Sequence, residues 1–392
     1  MQDPNPQFLV VAGEASGDLH GSSLVHALKK YFPAAAFCGM GGTRMRKEGV
    51  KTFFDIERMG AVGLVEVLGE VPHHLKVYRK LSREIASGKF AAVILIDYPT
   101  MNLRLAKCGR RADCPVFFFI SPQVWAWRKG RIRKIREWVR RMFVVLPFEE
   151  AMYQEAGVDA EFLGHPFVDQ VRPAWTRDEA FREFGLAPGK KTIGILPGSR
   201  KNEIESLLPV MVDAGHEIRR EIPDCQFVLP VSDSVPESLI RDHLGANPLG
   251  IRLLAGKAHE VMKQADFLII ASGSATLEAG LLGCPMVLIY KLHPLTYWVA
   301  KRLVKTPFIG LVNLVAGESV APELIQEQVT AQNIAARALD ILKDDEKRQA
   351  VSKRLLQVRE KLGEPGVMSR VAASIARALG ANASHDPENF SY

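Results

Sequence analysis

The sequence predicts an α/β protein with two Rossmann-like domains that face a cleft. Short apolar runs, typical of buried parallel strands, alternate with helical segments along both halves of the chain. Polar turns that contain glycine follow several of these runs, as in FLIIASGS (267–274) and ILPGSR (195–200). The length of 392 residues suits two domains better than one. Because open α/β sheets bind ligands outside the carboxyl ends of their strands, these turns indicate where the cleft lies.

The first strand is predicted at 8–12, and the loop GEASGD (13–18) leads from it into a helix. This loop lacks the GxGxxG pattern, so a dinucleotide cofactor is only weakly supported. It does carry Glu14, Ser16 and Asp18 at the mouth of a strand. Two interpretations are open for Asp18, which either contacts a ligand or caps the helix.

The stretch at 59–77 is apolar for most of its length and has basic residues on both sides. Such a segment is either a buried helix or an interfacial segment that dips into a bilayer, with its basic flanks at the lipid head groups. The predicted membrane contacts in this stretch are Leu64, Val65, Val67, Leu68 and Val71.

A further strand is predicted at 91–96 and ends in Asp97. Catalytic groups of α/β enzymes stand at the carboxyl ends of parallel strands, although a loop-capping aspartate is the alternative. Either Asp97 or Glu14 could act as a general base if it were held within hydrogen-bond distance of a substrate hydroxyl.

A basic cluster follows the strand predicted at 117–120 and the residues Trp125 and Trp127. A charge run of this kind usually forms a solvated helix face, but beside the apolar stretch it could equally meet anionic lipid or a nucleic-acid backbone. Because no aromatic RNA-binding motif accompanies the charge, we expect no nucleic-acid partner. The cluster consists of Arg128, Lys129, Arg131, Arg133, Lys134, Arg136, Arg140 and Arg141.

The second half repeats the alternation of strands and helices. At the end of its first strand, Ser199 and Arg200 stand where a guanidinium group can fork onto a phosphate. Its strands are predicted near 192–196, 226–230, 251–254, 267–270 and 286–290.

A second turn in this half is also suited to phosphate. Gly273, Ser274 and Thr276 place backbone N–H groups and hydroxyls at the start of a helix. Glu278 lies one turn further along, on the same face as Ser274 and within reach of a ribose diol. An ordinary strand-to-helix turn with a Ser/Thr cap is the alternative. Together the two turns predict a pocket for a nucleotide diphosphate, with Arg200 offsetting its charge without a metal.

The composition limits the remaining possibilities. Lys and Arg outnumber Asp and Glu by 51 to 44, a modest basic excess. The five cysteines form no CxxC pair, which argues against a zinc site and a disulfide framework and predicts a reducing compartment. The N-terminus lacks the features of a signal peptide, and no run reaches the roughly 18 apolar residues of a spanning helix. We expect a cytoplasmic protein, soluble or peripheral, with no cofactor and no metal.

The chain is predicted to divide into an N-terminal domain and a C-terminal domain, with terminal helices that pack back on the first domain or on a partner chain. A homodimer that exchanges these helices would be compatible with such a crossing. The boundaries are 1–170, 171–345 and 346–379, with a mobile tail at 380–392.

In its motifs the chain resembles the lipid-A-disaccharide synthases, a family of inverting glycosyltransferases with two Rossmann-like domains in the GT-B arrangement. The motifs run from Val11 to Glu318 in one order: VAGEASGD, MGxxGLVEVL, SPQVWAW, FEE, GHPFVD, LPGSR, ASGSATLE, KRLVKT and NLVAGE. The resemblance implies that the N-terminal half binds 2,3-diacylglucosamine 1-phosphate and the C-terminal half binds UDP-2,3-diacylglucosamine. The implied products are the β(1→6)-linked disaccharide 1-phosphate of lipid A biosynthesis and UDP.

The resemblance also implies the site residues. Active-site positions carry over to Glu14, Ser16, Asp97, Arg200 and Asn313, and UDP contacts to Ser274, Thr276 and Glu278. The chain departs from the family pattern Asp-x-Pro-Asp/Gly-Phe-Asn at 97–102, where Thr100 replaces the second acid while Asp97 and Asn102 are kept. Diacylated substrates give the apolar stretch and the basic cluster a purpose, which is peripheral attachment to the inner face of the cytoplasmic membrane.

Two other functions remain open at this point. A UDP-sugar 2-epimerase can share the two-domain fold, but it would use a soluble UDP-sugar and leave the apolar and basic surface unexplained. A nucleic-acid-binding protein with a nucleotide-sensing domain would require salt-sensitive binding through the basic cluster.

Overall fold

The computed structural model describes residues 5–56, 67–125, 130–293, 297–298 and 306–381. Within this part of the chain, no helix is both long enough and apolar enough to cross a bilayer. The predicted membrane contacts Leu64, Val65, Arg128 and Lys129 lie outside it. Three more fall in a helix of which only the backbone is described at those positions, namely Val67, Leu68 and Val71.

The described residues form two compact α/β units. The first unit contains the chain up to Pro166 and again from Glu364 onward, and the second contains Phe167–Gly363. Each unit has its own parallel sheet with helices packed against it. The predicted α/β class with two Rossmann-like domains is therefore confirmed.

In the first unit the described strands form a parallel sheet of order β3-β2-β1-β4-β5-β6-β7. This is the Rossmann strand order with one strand added at the edge. The strands are β1 (Gln7–Ala12), β2 (Ala36–Gly41), β3 (Lys51–Asp55), β4 (Ala92–Ile96), β5 (Val116–Phe119), β6 (Arg141–Val144) and β7 (Ala160–Phe162). The helices of this part are α1 (Ala15–Leu28), α2 (Thr43–Lys47), α3 (Val67–Ala86), α4 (Pro99–Arg111), α5 (Arg131–Trp138) and α6 (Pro147–Glu155).

The second unit repeats this topology, because its described strands are parallel in the order β10-β9-β8-β11-β12-β13. The strands are β8 (Thr192–Leu196), β9 (Gln226–Val231), β10 (Arg252–Ala255), β11 (Phe267–Ala271), β12 (Met286–Tyr290) and β13 (Glu323–Ile325). The helices are α7 (Phe167–Gln170), α8 (Arg177–Phe184), α9 (Lys201–Glu221), α10 (Glu237–Leu244), α11 (Ala258–Gln264), α12 (Ala275–Leu281), α13 (Leu311–Ala316), α14 (Ala331–Leu342) and α15 (Asp345–Lys361).

The central strands of both sheets are continuous apolar runs because they are covered on both faces. Every residue of β4, β8 and β11 is buried. Two strands were not predicted, β3 and β13, and both lie at a sheet edge. The side chains of β3 are at most half-buried, and β13 has only three residues, so neither leaves a strong apolar signal.

The last described helix, α16 (Val367–Ala378), returns to the first unit and packs on α1. Arg141 donates from Nη1 to Ser374 Oγ at 2.9 Å, and Arg140 donates from Nη2 to the carbonyl oxygen of Ala378 at 2.7 Å. Arg141 also pairs with Asp159 and Glu161, both on the first unit. These two arginines of the basic cluster therefore hold α16 on the first unit.

Candidate active site

Apart from Asn313, which follows β12, the predicted site residues follow the strands at which each sheet reverses its strand order. In the first unit these strands are β1 and β4, and in the second they are β8 and β11. The point of reversal opens a crevice at the carboxyl ends of the strands, where α/β sheets bind their ligands. The topology thus brings the loop 13–18 beside Asp97 in one unit, and the turn 197–200 beside 272–274 in the other.

Asp97 and Tyr98 end β4 in an uncommon backbone conformation. Both are left-handed, with φ of 46° and 47°, which non-glycine residues adopt at a cost that is typical of functional sites. The buried amide of Asn102 stabilises the turn, because its Nδ2 donates to the carbonyl oxygens of Ile96 at 3.1 Å and Asp97 at 2.7 Å. Asn102, predicted to bind substrate, thereby fixes the position of Asp97.

The Asn102 side chain has a second property that concerns ligands. Its Oδ1 is buried and, among the described residues, has no hydrogen-bond partner. A buried acceptor that is left unpaired costs about 1–3 kcal/mol, so an unpaired one calls for an explanation. This unpaired oxygen belongs to the residue that holds the Asp97 turn.

The environment of Asp97 raises its pKa to about 6. Burial is the main cause, the negative charge of Glu14 adds to it, and a hydrogen bond from the Tyr98 backbone opposes it. A carboxylate with a raised pKa is a stronger base than an ordinary aspartate and is still largely ionised at neutral pH. Asp97 therefore has the electrostatics of a general base, and Glu14, which is exposed, contributes to them.

The loop 13–18 contacts the Asp97 turn through Tyr98. The Tyr98 ring lies so close over Gly13 that a β-carbon at position 13 would clash with it. Its hydroxyl lies 3.3 Å from His74 Nδ1 on α3. Nothing in the sequence pattern pointed to Tyr98 except its place between Asp97 and Pro99.

Two other predicted residues of this loop differ in exposure. Ser16 is exposed in the first turn of α1. Asp18 is buried, and its carboxylate accepts hydrogen bonds from the backbone N–H groups of Gly42, Arg44 and Met45 at 2.6–3.1 Å. Of the two interpretations, the structure gives Asp18 the capping role, although the helix it caps is α2 and not the one it begins.

A buried glutamate that the sequence did not single out supports the loop after β5. Glu149 Oε1 accepts from Ser121 Oγ at 2.7 Å and from Trp125 Nε1 at 3.0 Å. Its Oε2 accepts from the Leu146 N–H at 3.1 Å, and burial raises the pKa of this carboxyl. Glu149 belongs to the FEE motif (148–150), which was the only indication of it in the sequence. In the structure it anchors the SPQVW segment (121–125).

In the second unit, the turn after β8 is held by a glutamate from the helix that follows. Gly198 is left-handed at φ 110°, and a β-carbon there would collide with Glu203. Glu203 accepts from the Ser199 N–H and from Arg200 Nη1, both at 3.1 Å. The Ser199 N–H is thus already paired, while the Arg200 side chain is 80% exposed and open to a ligand.

The turn after β11 is open. Gly273 and Ser274 are exposed, and nothing lies within 4 Å of a β-carbon built on Gly273. Thr276 is buried, and its hydroxyl donates to the carbonyl oxygen of Gly273 at 2.8 Å. Gly273 and Ser274 are therefore accessible, and Thr276 stabilises the turn.

Glu278 and Asn313, both predicted to contact ligand, also have protein partners. Glu278 Oε2 lies 2.7 Å from His259 Nε2. The Asn313 amide is fully buried and makes four hydrogen bonds, donating to Ala321 and Glu323 and accepting from the N–H groups of Val320 and Ala321. Because that amide is fully used, Asn313 positions the segment around Glu323, which in turn accepts hydrogen bonds from the N–H groups of residues 309 and 310, just before α13.

Comparison with known proteins relates this chain to a family. The chain matches the family model described as Lipid-A-disaccharide synthetase over residues 8–377. It is 45% identical to the lipid-A-disaccharide synthase of Geobacter metallireducens over 377 residues, which cover 96% of this chain and 98% of that protein.

Solved structures agree on the fold. The UDP-GlcNAc 2-epimerase from Neisseria meningitidis, bound to UDP-GlcNAc, superposes with a TM-score of 0.64 at 13% identity, over 96% of this chain and 100% of that one. The calicheamicin glycosyltransferase superposes with a TM-score of 0.60 at 14% identity, over 96% and 98%. At these identities the two structures bear on the fold alone.

Proposed function

The chain belongs to the lipid-A-disaccharide synthase family, and we propose that it transfers the sugar of UDP-2,3-diacylglucosamine to 2,3-diacylglucosamine 1-phosphate. The observation that carries the proposal is the match to the family over residues 8–377. The chemistry at the strand ends supports it, since one unit offers a carboxylate of raised pKa and the other an exposed guanidinium. A 2-epimerase has only distant similarity of fold in its favour.

In the proposed reaction the 6-hydroxyl of the acceptor attacks C1 of the donor sugar. Asp97 takes the hydroxyl proton, a bond forms between O6 and C1, and the bond from C1 to the diphosphate oxygen breaks with its electron pair going to UDP. Configuration at C1 inverts. The raised pKa of Asp97, about 6, matches a base that works near neutral pH, and Glu14 is the alternative base.

The donor side of the proposal rests on the second unit. Arg200 offsets the charge that grows on the departing diphosphate, which supplies without a metal the stabilisation such a reaction needs. Gly273 and Ser274 contact the diphosphate in the open turn, and Glu278 binds the ribose. The exposure of Arg200, Gly273 and Ser274 supports these roles.

We also propose that the protein works at the inner face of the cytoplasmic membrane as a peripheral protein. Both substrates carry acyl chains, and the exposed cations of α5, Arg133, Lys134 and Arg136, suit an anionic lipid surface. Flotation with anionic and neutral vesicles tests this, using a variant with all three changed to Gln. Equal flotation with both vesicle types would contradict the proposal. Sedimentation tests whether the chain forms the homodimer that an exchange of its terminal helices would allow.

The decisive experiment measures UDP release from UDP-2,3-diacylglucosamine, with and without acceptor and with a chelator. We expect release that depends on the acceptor, resists the chelator and falls by at least about 100-fold in Asp97→Ala and in Arg200→Ala. Lys201→Ala is the matched control, because Lys201 is a neighbouring cation that pairs with Glu205. Donor epimerisation in the absence of any transfer would favour the epimerase instead.

A further inference from the structure

His259 on α11 is hydrogen-bonded to Glu278, whose carboxylate is expected to bind the donor ribose. Its Nε2 lies 2.7 Å from Glu278 Oε2, and both side chains are mostly buried, with 30% and 18% of their surfaces exposed. Among the described residues, His259 is the hydrogen-bond partner of this carboxylate and Oε1 has none. One oxygen of Glu278 is therefore held by the protein, and the other is free to receive a hydrogen bond.

We propose that His259 is a positioning residue of the donor site, which orients Glu278 toward the ribose and offsets its negative charge next to the bound diphosphate. This inference rests on the proposed function, in which Glu278 contacts the ribose. It adds a residue that the motif comparison did not include.

Glu278 brings a negative charge close to the turn at the start of α12. Glu278 lies one turn beyond Ser274 on the same helix face, so a carboxylate stands close to the turn expected to meet the diphosphate. Two anionic groups at such a separation repel each other and weaken binding. A protonated His259 removes most of that repulsion and leaves Glu278 ionised to accept ribose hydroxyls.

The surroundings of His259 favour the protonated ring. The hydrogen bond to Glu278 raises the pKa of His259 above its usual 6.5, burial opposes this, and the charges of Glu278 and Glu260 raise it further. Besides α12, α11 packs on β8 and β9, which have no charged residue, and on α8. On α8, Arg177 stacks on the Phe181 ring and Glu179 accepts a hydrogen bond from Thr176 Oγ1. The offset is thus present at low pH and is lost as pH rises through the raised pKa of the ring, so donor binding weakens in that direction.

The test measures KM and kcat for UDP-2,3-diacylglucosamine from about pH 6 to about pH 9. We expect the donor KM of the wild type to rise with pH. His259→Arg keeps its cation and should have a low, constant KM, while His259→Gln should have a KM about three- to tenfold higher at about pH 6 and no dependence on pH. In both variants kcat should stay within about twofold of the wild type. His26→Gln is the matched control, because it removes an exposed His–Glu pair of the first unit.

The outcomes separate this inference from the proposal on which it rests. If Glu278→Gln raises the donor KM but both His259 variants follow the wild type at every pH, the inference is overturned and the donor site stands. A fall in kcat with unchanged KM in His259→Gln would also overturn it. If Glu278→Gln leaves the donor KM unchanged, or if no transfer occurs at all, the donor site is wrong and the inference falls with it.

Discussion

The two units place polar residues at the same points of the same topology, yet give them opposite properties. After β4, Asp97 is largely enclosed and has a raised pKa, while after β8 and β11 the groups Arg200, Gly273 and Ser274 face solvent. Strand order therefore fixes where a site lies but not the chemistry of its residues. Local burial and backbone conformation give one strand end a carboxylate of raised pKa and the other an exposed guanidinium group.

The backbone conformations at these strand ends also differ. The turn after β8 puts its left-handed position on glycine, at Gly198, which has no steric cost. The turn after β4 uses two residues with side chains, Asp97 and Tyr98, and needs the Asn102 amide to hold it. Strain is thus concentrated at the turn that carries the Asp97 carboxylate, and the turn after β8 does without it.

We expect the largest effect from a substitution at the strand end after β4, where Asp97 lies. Asp97→Asn keeps the shape and tolerates the left-handed backbone, but it removes the base, so we expect kcat to fall about 100- to 10,000-fold with KM nearly unchanged. Asp113→Asn is the control, since Asp113 is also left-handed, at φ 52°, but has an almost fully exposed side chain. Full activity in Asp97→Asn, with loss in Glu14→Gln, would move the base to Glu14.

We expect the next largest effect from a substitution at the strand end after β8, where Arg200 is exposed. Arg200→Ala removes the exposed cation, and we expect kcat/KM for the donor to fall about 100- to 1000-fold. Arg200→Lys should recover part of the loss, because a lysine keeps the charge but cannot bind in a forked geometry. Steady-state kinetics with varied donor measure both variants. Equal values for Ala, Lys and wild type would remove Arg200 from the site.

A smaller effect tests how Tyr98 supports the enclosed end. Tyr98→Ala removes the ring that covers Gly13, and we expect kcat to fall about tenfold as the two loops lose their contact. Tyr98→Phe keeps the ring and loses only the contact with His74, so it should lose about twofold. Matching losses in the two variants would show that the hydroxyl, and not the ring, is what matters.

We expect the smallest effect in the pH dependence of kcat, which depends on the pKa of Asp97. Activity should rise with pH through about 6, because Asp97 must be ionised to accept a proton. Glu14→Gln removes a negative charge that raises the pKa of Asp97, so the acid limb of the kcat profile should move to lower pH. A profile measured with Ala15→Ser, a change at an exposed residue of the same loop, controls for disturbance of the loop. A shift to higher pH would contradict the assignment.

The strand ends could be predicted because fully buried strands such as β8 and β11 read as unbroken apolar runs with a polar turn after them. The roles of several side chains could not be predicted, because their partners lie far along the chain. Asp18 meets residues 42–45, and Glu278 meets His259. The local sequence pattern predicts that these residues lie near the ends of strands. Whether they cap a helix, position a neighbour or face a ligand depends on tertiary contacts.

Helix α16 has a consequence for synthesis of the protein. The first unit is completed by residues that follow all of Phe167–Gly363, about 200 residues later in the chain. A ribosome that adds about 5–20 residues per second needs on the order of 10–40 s to cover that distance. During this interval the surface of α1 that α16 covers is uncovered on the nascent chain, and Arg141 lacks Ser374. The unit that begins to emerge first is therefore the last to be finished, and its exposed surface is where we expect a chaperone to bind.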